Sequence, residues 1–165
     1  MEYFFNEFRK EHRIIRDLLL DLITSFILRD WSQSEQLLLK LDRITGYHFQ
    51  YEEEALYPAL GTFFGEPYIY KLLTDHDLAI ARAIKLKSLI DKRQNNDSDF
   101  TEAINLVRAI LPHVSDCEGL TIMVEKLEKV KIDTIIKAIE KARNSNESLL
   151  KWAQSERNRK ILTIN

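Results

Sequence analysis

Apolar residues recur along this chain at alternating steps of three and four residues, the spacing that lines one face of an α-helix. Ahead of the C-terminal part, the segments with this spacing span residues 5–26, 32–55, 67–94 and 99–120. In the first of them the stripe consists of Phe5, Phe8, His12, Ile15, Leu19, Leu22 and Phe26. The pattern therefore predicts four long amphipathic helices.

Local signals predict where these helices begin and end. Ser32 and Glu35 match a capping box at the start of the second helix, and Asp99 is expected to cap the fourth. Two prolines and two glycines within residues 58–67 predict a loop there. Pro112 is expected to kink the fourth helix.

Four helices with short connections and one apolar stripe each pack most simply as a bundle. We therefore predict an all-α fold, an antiparallel up-and-down four-helix bundle in residues 1–128. Residues 129–165 also follow the helical spacing, with a break at residues 144–146. We expect them to form an additional C-terminal helical extension that is packed on or linked to the bundle. The pattern leaves open whether this extension crosses the bundle or joins two copies as a homo-oligomer.

Charge and composition bear on location and partners. The 24 basic and 26 acidic residues leave a net charge of -2, so no overall positive field attracts nucleic acid or anionic lipid. The most apolar stretch, residues 18–28, contains Asp21 and is shorter than the roughly 18 apolar residues of a membrane span. The single cysteine, Cys117, excludes an intramolecular disulfide, and residues 1–7 have no basic region before an apolar run. We expect a cytoplasmic chain without a nucleic-acid or membrane partner.

The four histidines are the most informative residues. His12, His48, His76 and His113 fall one on each predicted core helix, at positions where the stripe calls for an apolar residue. A buried imidazole needs a hydrogen-bond partner or a metal, because an unpaired polar group in an apolar core costs about 1–3 kcal/mol. All four lie near the middle of their segments, so they are predicted to converge on one cavity.

Carboxylates accompany two of these histidines. Glu52 follows His48 by four residues and shares its helix face, whereas the next two glutamates point progressively away. On the fourth helix Cys117 and Glu118 follow His113 by four and five residues, and either could reach the cavity. Imidazole and carboxylate together suit iron, manganese, zinc or copper. The donors exceed the need of one structural zinc, so two ions fit better.

These residues resemble the motifs of the hemerythrin family, whose members are non-haem di-iron four-helix bundles also called HHE cation-binding domains. The stretch HFQYEEEALYP at residues 48–58 resembles the family's second-helix motif. Residues 11–13 resemble its first-helix motif and residues 75–77 its third. His113 with Glu118 resembles the fourth.

The resemblance covers about residues 5–125 and implies a centre of two non-haem iron ions, with other divalent metals as alternatives. The ligands that it implies are His12 and His48 on one iron, His76 and His113 on the other, and Glu52 and Glu118 as bridges. An oxo or hydroxo oxygen would also bridge the pair. Dioxygen or a similar small ligand would bind at an open coordination position.

One position departs from the family. Oxygen-carrying members have a second histidine one turn before the one matched by His76, and this chain has Leu72 there. This leaves an exchangeable position on each ion, unless Glu53, Asp116 or Cys117 supplies the missing donor. Sensing, peroxide or nitric oxide reactivity, or iron handling is therefore expected more than reversible oxygen storage.

Other polar residues lie beside these positions in the sequence. Glu11, Asp75 and Asp77 adjoin histidines but should face other directions, so they are predicted to be mostly surface charges. The alternative is that one of them orients an imidazole of a neighbouring helix. Among the tyrosines near His48, only Tyr51 is expected close to the metals.

The function that we expect is binding of iron and of dioxygen or a related ligand, for oxygen or redox sensing or for iron handling. This describes a metal- and ligand-binding protein more than a dedicated enzyme. The alternative from the enzyme class is a di-iron oxidase or peroxidase that uses the same centre. A third alternative is a metal-free helical interaction module in which the histidines are satisfied core residues.

Overall fold

A computed structural model describes the backbone of residues 2–164 and the side chains of residues 4–120 and 122–164. Within them the chain forms helices and no strand. The helices are α1 (Glu2–Ile27), α2 (Trp31–Tyr51), a π-helical turn (Glu52–Leu56), α3 (Tyr57–Lys92), α4 (Asp97–Arg108), α5 (Leu111–Gly119), α6 (Thr121–Val124), α7 (Lys129–Ser145) and α8 (Leu149–Ser155). No helix in this part of the chain is long and apolar enough to cross a membrane.

The core helices form a closed ring of neighbours. Helix α1 packs against α2, α2 against α3, α3 against α4, and α4 with α5 against α1. All seven members of the predicted α1 stripe are buried, because their spacing places them on the face that meets these neighbours. The predicted all-helical bundle is therefore confirmed.

A layer of histidines divides the interior of the bundle. Phe8, Tyr51, Leu72 and Cys117 belong to one hydrophobic cluster, which also takes in the apolar face of α7. A second cluster, around Leu19, contains the inner residues of α4 and α8. The four histidines are buried between the two clusters.

The predicted capping residues are wrong by a few positions. Asp30 caps α2 by accepting a hydrogen bond from the Gln33 amide, so the helix begins before the Ser32 capping box. Asn96 caps α4 by accepting from the Asp99 amide. In both cases an Asp or Asn side chain in the preceding turn reaches the free amides first.

The loop predicted at residues 58–67 is also wrong, because helix α3 runs through these residues. Helix α3 begins at Tyr57, and Pro58 lies in its first turn, where no amide hydrogen is needed. The only residue in α3 with non-helical backbone angles is Gly65, at φ 75° and ψ 164°, a conformation that glycine adopts without steric strain. The kink predicted at Pro112 is a break in the structure, since α4 ends at Arg108 and α5 begins at Leu111, with Pro112 in the first turn of α5.

The C-terminal extension packs on the bundle. Helix α7 lies against α2 and the π-helical turn, and α8 lies against α2 and α3. The break predicted at residues 144–146 is confirmed, since Asn146 ends α7 in the left-handed conformation. Residues 157–164 are not helical, contrary to the prediction, and their arginines return to the bundle. The boundary at residue 128 stays a prediction.

Candidate metal centre

The four imidazoles meet in two pairs inside the bundle. The ring centroids of His12 and His48 are 4.5 Å apart, and those of His76 and His113 are 4.7 Å apart. Phe49 stacks on His76 at a centroid distance of 3.6 Å. The four histidines therefore converge inside the bundle, as predicted.

Glu52 lies between the two pairs. Its Oε1 is 3.8 Å from His12 Nε2 and 3.4 Å from His48 Nε2, and its Oε2 is 3.2 Å from His76 Nε2. Oε1 is buried and has no hydrogen-bond partner among the described residues. A buried carboxylate oxygen without a partner is costly, and a cation would satisfy it. The site therefore fits a metal ion on the residues present.

The donor atoms divide into two groups that share Glu52. One nitrogen, oxygen or sulfur from each of His12, Glu52 and Cys117 lies within 4.8 Å of the others, and the same holds for Glu52, His76 and His113. A carboxylate shared between two such groups is how helical bundles hold two metal ions close together. These donors suit iron, and they also suit manganese or zinc.

Tyr57 is a site residue that the sequence prediction missed. Its hydroxyl is 3.0 Å from His76 Nε2, 3.2 Å from Glu52 Oε2 and 3.1 Å from Cys117 Sγ. Tyr57 follows Glu52 by five residues, and the π-helical turn brings positions five apart onto one face. An α-helical spacing turns Tyr57 away from Glu52, so the periodicity contained no signal for it.

Glu118 is not in either donor group. Its side chain is 37% exposed, and Arg16 donates to it at 3.3 Å. Cys117, one turn after His113, takes the inward position and lies 3.5 Å from His113 Nε2. The assignment of Glu118 as a ligand stays a prediction that this geometry does not favour. Asp116, a candidate for the missing donor, lies at the surface with Lys71.

Three of the four imidazoles are oriented through their second ring nitrogen. His48 Nδ1 lies 2.8 Å from Glu11, and His76 Nδ1 lies 2.9 Å from Glu53. His12 Nδ1 lies 2.9 Å from the Phe8 carbonyl oxygen. Such contacts fix the ring and leave Nε2 free to face a metal.

The outer carboxylates differ from the prediction. Glu11 is buried rather than exposed, and its carboxylate orients His48, the alternative left open above. Glu53 also turns inward, because the π-helical turn changes the direction of the residues after Tyr51. Asp75 Oδ2 is 3.4 Å from His113 Nδ1, which has no hydrogen-bond partner of good geometry within the described part of the chain. The hydroxyl of Tyr51 donates to Glu11, so Tyr51 belongs to this outer group.

Electrostatics distinguish the two histidines of the first pair. Burial and the charge of His48 lower the pKa of His12 to about 4. Burial also lowers the pKa of His48, but the charge of Glu52 and the hydrogen bond with Glu11 outweigh it and raise this pKa to about 10. Burial by itself raises the pKa of Glu52, yet the charge of His48 holds it well below its usual range. Glu52 thus stays ionised and attracts positive charge into the centre.

An apolar cavity reaches the centre from the side of α8. It has a volume of about 370 Å³, and Phe49 and His113 lie in its wall nearest the histidines. Along α3 its wall contains the small side chains Ala79 and Ala83. Leu149 of α8 also lines it. Asp42, Lys87 and Lys151 also line it, but most of its lining is apolar, as suits a small apolar molecule.

Comparison with known proteins gives one match. The family model of the hemerythrin HHE cation binding domain matches residues 4–122, which is more than two thirds of the chain. No curated protein and no solved structure matches. The match contains all the residues of the two donor groups and ends before α7.

Proposed function

The chain belongs to the hemerythrin HHE cation-binding domain family, and from this we propose that it holds two iron ions and binds dioxygen or a related small ligand. The observation that carries the proposal is the position of Glu52, whose two oxygens face different histidine pairs. One of these oxygens is buried and has no hydrogen-bond partner in the described part of the chain. A second ion explains why the carboxylate is placed between the pairs rather than beside one of them.

The proposed ligands fall into two sets, one for each ion. His12 and His48 would hold one ion, His76 and His113 would hold the other, and Glu52 would contact both. Cys117 and Tyr57 lie beside Glu52 and His76 and would supply further donors, in the role that the resemblance gives to Glu118. Bound iron supplies a redox-active Lewis acid with positions open to a small ligand.

The surrounding side chains keep the centre dry and rigid. Phe8 and Phe49 pack against the imidazoles at centroid distances of 4.2 and 3.6 Å. The Tyr57 hydroxyl can donate a hydrogen bond to Glu52 or to a ligand beside it. Burial, together with nearby Cys117 and Glu52, raises the pKa of Tyr57 well above its usual range, so the phenol keeps its proton unless a cation displaces it.

The iron content of the purified protein tests the proposal. Protein from iron-replete cells is expected to contain about two iron ions per chain. Anomalous scattering at the iron edge is expected to place them on either side of Glu52. Protein that loads no iron, in the cell or on anaerobic reconstitution with Fe(II), would contradict the proposal.

The cavity is the proposed route of the ligand. Apolar cavities take up small apolar molecules, and dioxygen is one. We expect Ala83→Phe to fill the cavity and slow the association of dioxygen or nitric oxide with the reduced protein several-fold, at unchanged iron content. Stopped-flow absorbance measures the rate, and Ala83→Ser, which keeps the volume, is the matched control. Equal rates in the two variants would mean that the ligand enters elsewhere.

A di-iron oxidase or peroxidase remains the second candidate, because two oxidisable side chains adjoin the centre. Tyr57 and Cys117 are 3.1 Å apart, and both lie against the histidines. Mixing the reduced protein with oxygen separates the candidates. A persistent adduct supports ligand binding or sensing, whereas decay with repeated turnover of a reductant or peroxide supports the enzyme.

We further propose the antiparallel up-and-down order for the bundle in residues 1–128. Its support is that Trp31, at the start of α2, stacks on Phe100 of α4 at 4.3 Å and donates to Asn95 at 3.2 Å. The α1–α2 and α3–α4 connections therefore lie at the same end of the bundle. The cytoplasmic location, the absence of nucleic-acid and membrane partners and a homo-oligomer through the C-terminal helices stay predictions.

A further inference from the structure

We propose that the C-terminal extension supplies two positioning residues for the metal centre, Arg143 and Arg157. Each arginine donates hydrogen bonds to one carboxylate, and each carboxylate forms a hydrogen bond with one histidine. The inference rests on the proposed function and gives a role to residues beyond 122, where the family match ends. It concerns the orientation and electronic character of the histidines rather than contact with the ions.

The first relay runs from α7 to His48. Arg143 donates to Glu11 Oε1 and, at 3.0 Å, to Glu7. The other oxygen of Glu11 accepts hydrogen bonds at 2.8 Å from His48 Nδ1 and from the Tyr51 hydroxyl. One buried carboxylate thus joins the arginine of α7 to a histidine of the first pair.

The second relay runs from the segment after α8 to His76. The side chain of Arg157 is 1% exposed and forms a fork on Glu53, with Nη2 2.8 Å from Oε1 and Nε 3.0 Å from Oε2. Glu53 Oε1 lies 2.9 Å from His76 Nδ1. Arg157 also donates to Asp77 at 2.7 Å, and Arg159 donates to the same Asp77.

Among the residues that the structure describes, one histidine of each pair is held in this way. His12 is fixed by the Phe8 carbonyl within its own helix. His113 lies near Asp75, whose cation is the half-exposed Lys71 of its own helix. The two relays share no residue, so each half of the centre has its own link to the extension.

The chemistry explains what the arginines do. A buried carboxylate that loses its cation is left uncompensated, and it turns away or admits water. The imidazole that it oriented is then free to rotate, which weakens its hold on a metal. The guanidinium is also a positive charge beside the centre, and a nearby positive charge favours the reduced ions over the more highly charged oxidised ones. Loss of either arginine is therefore expected to lower the reduction potential.

The test uses the full chain with Arg143→Gln, Arg157→Gln and the double variant. Each single variant is expected to speed the release of one of the two ions to a chelator by about tenfold or more, and the double variant to speed both. Cobalt(II) serves as the probe because its visible spectrum reports ligand geometry. In the iron protein the midpoint potential is expected to fall in each variant.

Two matched controls come from the same segments. Lys141→Gln removes an exposed cation of α7 that pairs with Glu54, and Arg159→Gln removes a cation that donates its hydrogen bonds to Asp77. Both are expected to release cobalt as the unsubstituted protein does. Arg157→Lys keeps the charge without the fork, so it is expected to restore the potential more than the release rate.

The outcomes separate this inference from the proposed function. If the unsubstituted protein binds neither cobalt nor iron, the proposed function fails. If it binds two ions and the arginine variants behave as the two controls do, the relays are overturned while the metal centre stands. Should Arg157→Gln not fold, Arg157→Lys carries the test, and an unchanged release rate would overturn the relay.

A measurement on the metal-free protein adds an independent result. The ring N–H proton that bridges His76 and Glu53 is expected to exchange faster with solvent in Arg157→Gln, and the one between His48 and Glu11 in Arg143→Gln. Proton NMR follows each signal separately. Exchange that is unchanged in both variants would also contradict the relays.

Discussion

Replacing Glu52 with Gln is expected to abolish most metal binding. The neutral amide keeps the shape of the side chain but cannot serve as a negatively charged donor to two cations. Since changes to outer-shell partners alone cost about 10–100-fold in metal affinity, we expect a loss of more than about 100-fold here. Metal analysis after gel filtration measures the loss. Thermal unfolding of the metal-loaded protein should show it too, because ligand at 100 times its Kd stabilises by about 2.7 kcal/mol.

Glu54→Gln is the matched control for that experiment. Glu54 is exposed and pairs with Lys141 at 3.3 Å and with Gln50 at 3.1 Å, away from the histidines. The variant should keep its full metal content and its melting temperature. Similar losses in both variants would mean that the glutamates at residues 52–54 bind metal at the surface and that Glu52 is not a ligand inside the bundle.

The largest effect on folding is expected from Gly46→Ala. A Cβ at this position of α2 would lie 2.1 Å from the Glu147 carbonyl oxygen and 2.8 Å from the Leu149 amide nitrogen. Both neighbours are backbone atoms, one in the α7–α8 connection and one at the start of α8, so they cannot rotate aside. Overpacking costs about 1–3 kcal/mol when side chains can adjust, and we expect roughly 3 kcal/mol or more here. Urea unfolding monitored by circular dichroism measures the change.

Gly119→Ala is the control for the glycine substitution. A Cβ there meets nothing within 4 Å, and the position is helical. Alanine is favoured over glycine in helices by up to about 1 kcal/mol, so stability should stay the same or rise. If Gly46→Ala were as stable as this control, α8 would not approach α2 as closely as the structure has it. Limited proteolysis after Ser145 would then show whether the extension had been released.

Periodicity predicted the inward histidines because the inner face of a helix follows from local geometry. His12, His48, His76 and His113 each interrupt an apolar stripe, and any packing of the four helices had to bury them. Glu52 followed from the same reasoning, one turn after His48. These predictions needed only the number of residues per turn, which every α-helix shares.

The π-helical turn is where that reasoning failed. One extra residue in the turn changes the face of everything after Glu52, so Glu53 and Tyr57 point inward instead of outward. Nothing in the spacing of HFQYEEEALYP separates a π-helical turn from an α-helical one. Helices deviate in this way where packing or a bound group offsets the poorer hydrogen bonding, and both depend on distant residues.

The sequence by itself determined an all-helical chain with a polar, histidine-rich layer across its middle. Short-range spacing carries that information, and burial of the apolar stripes enforces it. Only the tertiary structure decided that Cys117 rather than Glu118 faces the centre. It also decided that Glu11 and Glu53 orient histidines. The hydrogen bonds from Arg143 and Arg157 to these two glutamates belong to the same class of contact. These contacts join residues far apart in the chain, and their geometry depends on how the helices rotate and tilt against one another.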